Sequence, residues 1–587
     1  MAPVVEGGSL RRLFCFLSFC GALFGAEKIS KPGQYSGWSE PLYSAWVRSS
    51  QYIAMRDGIR LAIDIYRPAQ NGRAVEKPYP VVWEGTTARG VITNGKMQLS
   101  AERVQNDESI LDLTRFGYVV AEVDRRGLGA SYGVMMGYHN RAETQDAYEI
   151  TEWLARQSWS DGNIGMFGCS NTGEAVLHAL STAPPHLKAI FPGCFAWSKY
   201  DGHLRGGILA NYGTGSEHPY TDDLRTVRVD EDPNGELLRT AAEQHQGNAS
   251  LYKILKSIPF RNSWSSITGS RYWQEASASS YWPALERTGA AVYGFSGWSD
   301  DFREELLVAF QNLHNPGRVL IGPWGHCQND GFALVTERLR FFDRYLKSIP
   351  NGIENEPPIV YYTIGAPAGS EWRQVSAWPP RGQRPADYFL VDSHSLGERK
   401  PAEASAKDSA LARYNAVCPQ RTNPLSQSCV LDNIGFNYTT AALARDMELT
   451  GSPVVHMWIS SSAPDMNFFA YLEDVAPDGN VTIATDGRLR ASLRALSTPP
   501  YSNFNLPYHR MFEQDWQPLK PGQPVELVFE MLPLSQIFAQ GHKLRINFTN
   551  ADPREKDRDE ISPAPQVSIY RDGAHPSYVT LPVIAAK

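Results

Sequence analysis

The sequence predicts an α/β domain that carries a helical insertion and is followed by an all-β domain. Up to residue 200, and again after residue 289, short apolar runs alternate with amphipathic helical segments. That alternation is typical of a parallel sheet with crossover helices. The stretch between those parts is polar and rich in tryptophan, and it lacks the alternation. Beyond residue 377, short apolar runs recur between Gly, Pro, Asp and Asn turns, which predicts a β-sandwich or jelly roll.

The length of 587 residues also exceeds what one hydrophobic core supports. We therefore place domain boundaries where the predicted pattern of strands and helices changes. The predicted parts are a signal peptide (1–26), the two halves of the α/β domain (45–200 and 289–377), a helical cap (201–288) and a C-terminal jelly roll (378–587).

Hydrophobic periodicity predicts the individual elements of the first half. Runs on both sides of Asp57-Gly58 favour a β-hairpin, and continuous apolar runs indicate strands buried on both faces. The predicted elements are a hairpin over Tyr52–Pro68, a strand over Gly117–Val123, a helix over Glu143–Gln157, a turn over Ser160–Asn163, a strand over Ile164–Phe167 and a helix over Thr172–Ser181.

The same criteria apply to the rest of the chain. In the cap and the second half they predict a helix over Gly235–His245, a strand over Ala290–Phe295, a helix over Phe302–Leu313, a strand over Arg318–Ile321 and a helix over Glu337–Leu346. In the C-terminal domain they predict strands over Pro453–Ile459, Phe468–Leu472, Val525–Phe529 and Lys543–Asn547.

Composition argues against nucleic acid and a membrane as partners. The net charge is -7 and the mean hydropathy is -0.36, with no run of lysine and arginine. These values give no basic footprint for nucleic acid. No stretch of about 20 apolar residues suggests a membrane span. We expect a small-molecule substrate, and self-association into a homo-oligomer is left open.

The N-terminus predicts export. Arg11 and Arg12 precede the apolar run Leu13–Phe24, and small residues follow at Gly25-Ala26, as in a secretory signal peptide. The alternative is an N-terminal extension that stays on the chain. Phe19 fits poorly before a lipid-modified Cys20, so a periplasmic or secreted protein without a lipid anchor is expected.

Cysteine usage agrees with an oxidising compartment. Cys418 and Cys429 flank a polar loop and form a candidate disulfide. No cysteine pair has the CxxC spacing of a zinc site, so we expect neither a catalytic metal nor another cofactor.

Ser170 is the candidate nucleophile. It lies in Gly168-Cys169-Ser170-Asn171-Thr172-Gly173, between a buried strand and a helix. On a tight strand-to-helix turn a serine projects its hydroxyl, and flanking glycines relieve crowding. The helix N-terminus behind it favours a developing negative charge. The alternative is a serine that only caps the helix.

A serine nucleophile needs a histidine base and an acid that orients it. Of the thirteen histidines, His326 follows the predicted strand that ends at Ile321, and Asp300 follows the one that ends at Phe295. Both positions are at strand ends, and the chain order Ser, Asp, His is that of α/β-hydrolases. The sequence therefore predicts the triad Ser170, Asp300 and His326.

With these residues in place, the chain resembles the cocaine-esterase-like branch of the X-prolyl dipeptidyl-peptidase family, which includes α-amino-acid ester hydrolases. The resemblance spans about residues 45–585. It implies an α/β-hydrolase core with an inserted helical cap, a C-terminal jelly roll and the same triad. The strings that carry it include MRDGIRLAIDIYRP, DRRGLGASYG, WSDGNIGMFGCS, GWSDDF, IGPWGH and FAQGHKLRINFTN.

The chain departs from that family at the expected oxyanion hole. Asn171 stands where a Tyr usually follows the nucleophile, and its backbone N–H is still an expected donor. The family's second donor is a Tyr hydroxyl after an earlier strand. Here that stretch contains Thr86 and Thr87 instead, which are our candidates for the second donor.

The resemblance also bears on the substrate. Phe302 matches an aromatic residue of the acyl pocket in cocaine-esterase-like members, which favours an apolar acyl group, although packing would equally account for a Phe. The α-amino-acid ester hydrolases bind a substrate ammonium with carboxylates, two of them just beyond the triad Asp. Here Arg303 puts a positive charge where that cation would lie, so a substrate ammonium is disfavoured. We predict an ester or amide hydrolase that acts through an acyl-enzyme. An X-Pro dipeptidyl-peptidase and a binding module with a decayed site are the alternatives.

Overall fold

The structure is a computed structural model that describes residues 27–210, 218–418, 429–556 and 560–585. The predicted signal peptide, residues 1–26, lies outside these ranges. Within them, no helix combines the length and apolar character that crossing a bilayer would require.

The chain up to the first crossover helices is mostly β-structure, with one 3₁₀ helix over Ile110–Phe116. Its strands and helices are β1 (Ile29–Lys31), β2 (Gln34–Ser36), β3 (Ala45–Ala54), β4 (Arg60–Gln70), β5 (Arg73–Ala74), β6 (Tyr79–Thr86), β7 (Gly90–Thr93), β8 (Lys96–Leu99), β9 (Val104–Gln105), β10 (Glu108–Ser109), β11 (Val119–Asp124), α1 (Arg141–Ala155), β12 (Ser160–Cys169), α2 (Asn171–Leu180) and β13 (Leu187–Gly193).

Short helices then form the insertion, before strands and helices alternate again. The helices of the insertion are α3 (Lys199–Leu204), α4 (Tyr220–Asp223), α5 (Glu236–Gln244), α6 (Leu251–Ser257), α7 (Tyr272–Glu275) and α8 (Trp282–Arg287). The alternating elements are β14 (Ala291–Gly297), α9 (Arg303–Asn312), β15 (Gly317–Gly322), α10 (Leu334–Leu346), β16 (Ile359–Tyr362) and β17 (Trp372–Val375).

The remaining strands belong to the C-terminal part. They are β18 (Gln383–Val391), β19 (Ser395–Gly397), β20 (Lys407–Leu411), β21 (Phe436–Thr439), β22 (Met447–Gly451), β23 (Val454–Ser461), β24 (Asn467–Val475), β25 (Val481–Arg490), β26 (Val525–Glu530), β27 (Leu534–Phe538), β28 (Lys543–Thr549), β29 (Gln566–Tyr570) and β30 (Tyr578–Ile584).

The central sheet has 11 strands in the order β17-β16-β15-β14-β13-β12-β6-β11-β4-β3, with β5 beside β4. Strands β6 and β11 to β16 run parallel, whereas β3, β4 and β17 are antiparallel edge elements. The predicted hairpin corresponds to β3 and β4. The α/β-hydrolase core is therefore confirmed.

Helices cover both faces of this sheet. Ile150 of α1, Val176 of α2 and Leu306 of α9 belong to one buried apolar cluster, and Phe341 and Phe342 of α10 belong to another. Strand β11 is buried along its whole length, as its continuous apolar run predicted.

One predicted turn is wrong. Residues 160–163 belong to strand β12, and the register with β6 shifts between Ser160 and Ile164. Gly162 has a φ of +85° at this irregularity, a conformation that glycine adopts without strain. Turn-forming residues here therefore build an irregular strand.

The C-terminal part is a second sheet of 13 strands, predominantly antiparallel. It confirms the predicted all-β domain, while its assignment as a jelly roll and the exact domain boundaries stay predictions. Its buried cluster includes Tyr200, Ile254 and Trp273 of the insertion. The insertion and the β domain therefore share a core.

Candidate active site

Ser170 lies on a sharp turn between β12 and α2, with φ 61° and ψ -131°. A Cβ at Gly168 would lie 2.5 Å from the Thr172 carbonyl oxygen, and one at Gly173 would lie 2.5 Å from the Gly193 carbonyl oxygen. Both clashes involve backbone, so only glycine fits. The Ser170 N–H donates to the Gly193 carbonyl at 2.9 Å, which fixes the turn against β13.

The residues predicted for the oxyanion hole lie on two elements. Asn171 is the first residue of α2, where a backbone N–H has no intrahelical acceptor. Its side-chain amide hydrogen-bonds the Tyr138 hydroxyl. Thr86 ends β6 and is buried, with its hydroxyl 3.4 Å from the Ala88 carbonyl oxygen, and Thr87 follows it half-buried. Their role as donors stays a prediction.

Asp300 and His326 meet after the adjacent strands β14 and β15. His326 Nδ1 lies 3.0 Å from Asp300 Oδ1, and the Ser296 hydroxyl donates to Asp300 Oδ2 at 2.8 Å. Burial of Asp300 by itself would raise its pKa, but the charge of His326 and hydrogen bonds from His326, Cys194 and Ser296 hold that pKa below its usual value. Asp300 is therefore ionised at neutral pH and can orient the imidazole.

The opposite imidazole nitrogen is available for proton transfer. His326 Nε2 is buried and has no hydrogen-bond partner among the described residues. A serine hydroxyl needs such a nitrogen to accept its proton. The hydrogen bond between a serine nucleophile and its histidine base often shortens only when substrate binds.

A disulfide that sequence reasoning missed joins the serine and histidine loops. It links Cys169, directly before Ser170, to Cys327, directly after His326, with a Cα–Cα distance of 5.9 Å. The sequence contained a clue to this disulfide, because the two cysteines are adjacent to triad residues that the fold must bring together. A second disulfide joins Cys418 to Cys429, and residues 419–428 between them lie outside the described ranges.

Cys194 completes a cluster of sulfur atoms beside the triad. The sulfurs of Cys169, Cys194 and Cys327 lie within 4.8 Å of one another, and Cys194 is within the same distance of ligand atoms of Asp300 and His326. Two of these sulfurs form the disulfide, and burial raises the pKa of the Cys194 thiol. The disulfide thus removes Cys169 and Cys327 as thiolate ligands, and the absence of a metal stays our prediction.

Phe302 packs directly on the predicted base. Its ring centroid is 5.5 Å from that of His326, and it is buried with Ala196 and Ala210. Ala196 follows β13 and Ala210 belongs to the insertion. Phe302 thus lies between the catalytic loop and the insertion, a position compatible with both of the roles considered for it.

The Arg303 side chain does not support the argument drawn from it. It is fully buried, and its guanidinium donates to the carbonyl oxygens of Asp300 and Pro533 and to the Thr485 hydroxyl. Its charge is directed into the contact with the β domain. A positive charge at this position therefore gives no reason to exclude a substrate ammonium.

A buried charge network ties the Asp300 loop to the β domain. Arg554 donates to Asp301 and Asp486 at 3.1 Å and to Asp552 at 2.9 Å, and all four side chains are fully buried. Asp301 is the neighbour of Asp300 in sequence, so the β domain helps to position the acid.

Comparison with known proteins identifies two matched regions. The family model of the X-Pro dipeptidyl-peptidases (S15 family) matches residues 57–328, and that of the X-Pro dipeptidyl-peptidase C-terminal non-catalytic domain matches residues 351–580. The first contains all three predicted triad residues.

Relatives cover nearly the whole chain. A Mycobacterium bovis protein that carries a serine esterase designation is 30% identical over 94% of this chain and 98% of its own length. The cocaine esterase of a Rhodococcus species is 26% identical over 92% of this chain and 98% of its own. A protein designated a Xaa-Pro dipeptidyl-peptidase from Streptomyces avermitilis is 22% identical over 91% and 84%.

Solved structures share the fold. A CocE/NonD family hydrolase from Staphylococcus aureus aligns with a TM-score of 0.69 at 20% identity, covering 92% of this chain and 94% of that one. An α-amino acid ester hydrolase aligns with a TM-score of 0.66 at 18% identity, covering 96% and 100%. The matched regions and the relatives place the chain in the X-Pro dipeptidyl-peptidase (S15) family as a serine hydrolase.

Proposed function

We propose that the protein is an exported hydrolase that cleaves a carboxylic ester through an acyl-enzyme on Ser170. The observation that carries the proposal is the contact of His326 Nδ1 with Asp300, together with the disulfide that brings the His326 loop to Ser170. Relatives designated as esterases support an ester as the substrate.

In the proposed mechanism, His326 Nε2 accepts the Ser170 proton while the hydroxyl oxygen attacks the carbonyl carbon. Asp300 keeps the second imidazole proton on Nδ1 and stabilises the imidazolium. Collapse of the tetrahedral intermediate breaks the bond to the leaving alcohol, which takes the proton from Nε2. Water, deprotonated by His326, then attacks the carbonyl carbon of the acyl-enzyme. The bond to Ser170 Oγ breaks, Ser170 takes the proton back from His326 Nε2, and the carboxylic acid leaves.

The negative oxygen of the intermediate needs hydrogen-bond donors. We assign the Asn171 backbone N–H as one donor and Thr86 or Thr87 as the other. Loss of one such donor typically costs about 10²–10³ in rate. Thr86→Val and Thr87→Val each replace the hydroxyl by a methyl group of similar size, so they should separate the two candidates by their kcat.

Phe302 supports an apolar acyl group. Its buried ring lies against His326, where the acyl part of a substrate on Ser170 would approach. A shorter side chain should widen that space, so Phe302→Ala should shift the preference toward longer acyl chains.

The disulfides support export. Disulfides form and persist in oxidising compartments and are rare in the cytosol. The pairs Cys169–Cys327 and Cys418–Cys429 therefore agree with a periplasmic or secreted enzyme, as the predicted signal peptide suggests. Mass spectrometry of the protein isolated from its native host should show both pairs oxidised.

Hydrolysis of p-nitrophenyl esters of graded acyl length tests the activity. We expect turnover that disappears in Ser170→Ala and persists in Ser370→Ala, because Ser370 is an exposed serine in the loop between β16 and β17. A folded wild-type protein that hydrolyses none of these esters would contradict the proposal.

Dipeptidyl-peptidase activity is the second candidate, because the family model that covers the triad is that of X-Pro dipeptidyl-peptidases. Release of p-nitroaniline from Gly-Pro-p-nitroanilide at a higher kcat/KM than any ester would favour the peptidase. A site that reacts with neither class would favour the binding module.

A further inference from the structure

We propose that the disulfide Cys169–Cys327 positions His326 against Ser170, so that a reductant that opens it lowers turnover while the fold persists. This inference rests on the proposed function of Ser170 and His326. It assigns Cys169 and Cys327 as positioning residues, because neither touches the reacting atoms.

The covalent link connects the two loops that must cooperate. Cys169 and Cys327 are 158 residues apart in sequence, and each is the immediate neighbour of one predicted triad residue. A change in the distance between their Cα atoms therefore changes the distance between the hydroxyl and the imidazole. A displacement of about 1 Å at a reacting group can cost about 10² in rate.

Non-covalent contacts also hold the histidine loop: the Phe302 ring packs on His326, and the Ser299 N–H donates to the Trp324 carbonyl oxygen. The Gly325 N–H and the Gln328 N–H make hydrogen bonds that stay within the loop. Outward contacts of this segment include His326 to Asp300 and the Cys327 N–H to Cys194 Sγ at 3.2 Å. The disulfide is thus the covalent attachment of this loop beside its non-covalent contacts.

The third sulfur stabilises the arrangement without opening the disulfide. Cys194 is fully buried, its sulfur accepts the Cys327 N–H at 3.2 Å, and it lies within 4.8 Å of ligand atoms of Asp300 and His326. Burial raises the pKa of this thiol, and thiol–disulfide exchange requires a thiolate. The nearby Cys194 therefore remains a thiol, and opening the bond requires an external reductant.

We expect such a reductant to reach the bond, because Cys169 and Cys327 are each only partly buried. A water-soluble trialkylphosphine attacks one sulfur and breaks the S–S bond. Water then supplies the oxygen of the phosphine oxide and the protons of the two thiols. The disulfide gains two electrons, and the phosphine loses two.

The first test is reduction of the folded wild-type enzyme by a trialkylphosphine, with p-nitrophenyl butyrate as the substrate. Alkylation and peptide mass spectrometry identify which disulfide has opened. We expect kcat to fall at least tenfold with little change in KM, and to recover on reoxidation. Retained near-UV circular dichroism would show that packing persists.

A matched pair of double variants completes the test. Replacing Cys169 and Cys327 together by serine should reproduce the loss in kcat, whereas replacing Cys418 and Cys429 together should leave kcat within twofold. Unchanged kcat after the Cys169–Cys327 bond has opened would overturn the proposal. Loss of near-UV circular dichroism on reduction would overturn it too, because the bond would then maintain the fold as a whole.

These outcomes are separate from those that test the proposed function. Hydrolysis by the oxidised enzyme that requires Ser170 supports that function whatever reduction does. An oxidised enzyme without hydrolytic activity would overturn both proposals.

Discussion

The glycines around Ser170 offer a sharp test of how the turn is built. In Gly173→Ala the new Cβ would lie 2.5 Å from the Gly193 carbonyl oxygen, which falls 0.9 Å short of a normal 3.4 Å contact. The new Cβ is fixed to the α2 backbone and the oxygen belongs to the β13 backbone, so α2 must move away from β13 by nearly that amount. Ser170 is attached to the N-terminus of α2 and moves with it.

Two effects of this displacement are expected. Misplacement of a catalytic group by about 1 Å can cost about 10² in rate, so kcat for p-nitrophenyl butyrate should fall by about that factor. Overpacking typically costs about 1–3 kcal/mol, which should lower the denaturation midpoint. Gly397→Ala is the matched control, because its Cβ would meet only Val391 Cγ2 at an ordinary 3.8 Å.

The reasoning makes a claim that activity measurements can refute. If Gly173→Ala were as active and as stable as Gly397→Ala, the contact between α2 and β13 would not position Ser170. A crystal structure of the variant with the turn unmoved would lead to the same conclusion.

Three further predictions concern charged groups. Arg554→Met removes the guanidinium that pairs with the buried Asp301, Asp486 and Asp552, although Asp486 keeps its ion pair with Arg205, so the free energy of unfolding from urea denaturation should fall by about 3–5 kcal/mol; wild-type stability would contradict the network. Asp300→Asn should lower kcat for ester hydrolysis by about 10³–10⁴, because the imidazole loses its productive tautomer. A decrease of less than tenfold in kcat would exclude Asp300 as the acid of the triad. Burial, with Asp201 nearby, raises the pKa of Glu305 to about 8, so its stabilising contribution is complete below the ordinary carboxyl value and is lost as pH rises through 8. The decrease in melting temperature from pH 5 to pH 9 should therefore be smaller in Glu305→Gln, and an equal decrease would refute this.

The local pattern of apolar residues was sufficient to predict many of the strands and helices. Strands such as β11 are buried on both faces and read as continuous apolar runs, and α1 shows a clear helical period, so both were predictable. The predicted turn over residues 160–163 failed because Gly162 and its neighbours continue β12 through a register shift. That shift depends on pairing with β6, which no local pattern contains.

The candidate site shows the same division. Asp300 and His326 were chosen because they follow strands, and adjacent parallel strands bring them into contact. The direction of the Arg303 side chain was not predictable, since it is set by Pro533 and Thr485 of the β domain. The disulfide at Cys169 and Cys327 required combining the cysteine positions with the triad.

The measurement that most directly tests the account is covalent labelling by a fluorophosphonate, followed by peptide mass spectrometry. We predict a single adduct on Ser170, no labelling of Ser170→Ala, and a labelling rate at least 10²-fold lower in His326→Ala, where the base is missing. An adduct on another serine, or an unchanged rate in folded His326→Ala, would contradict the assignment of nucleophile and base.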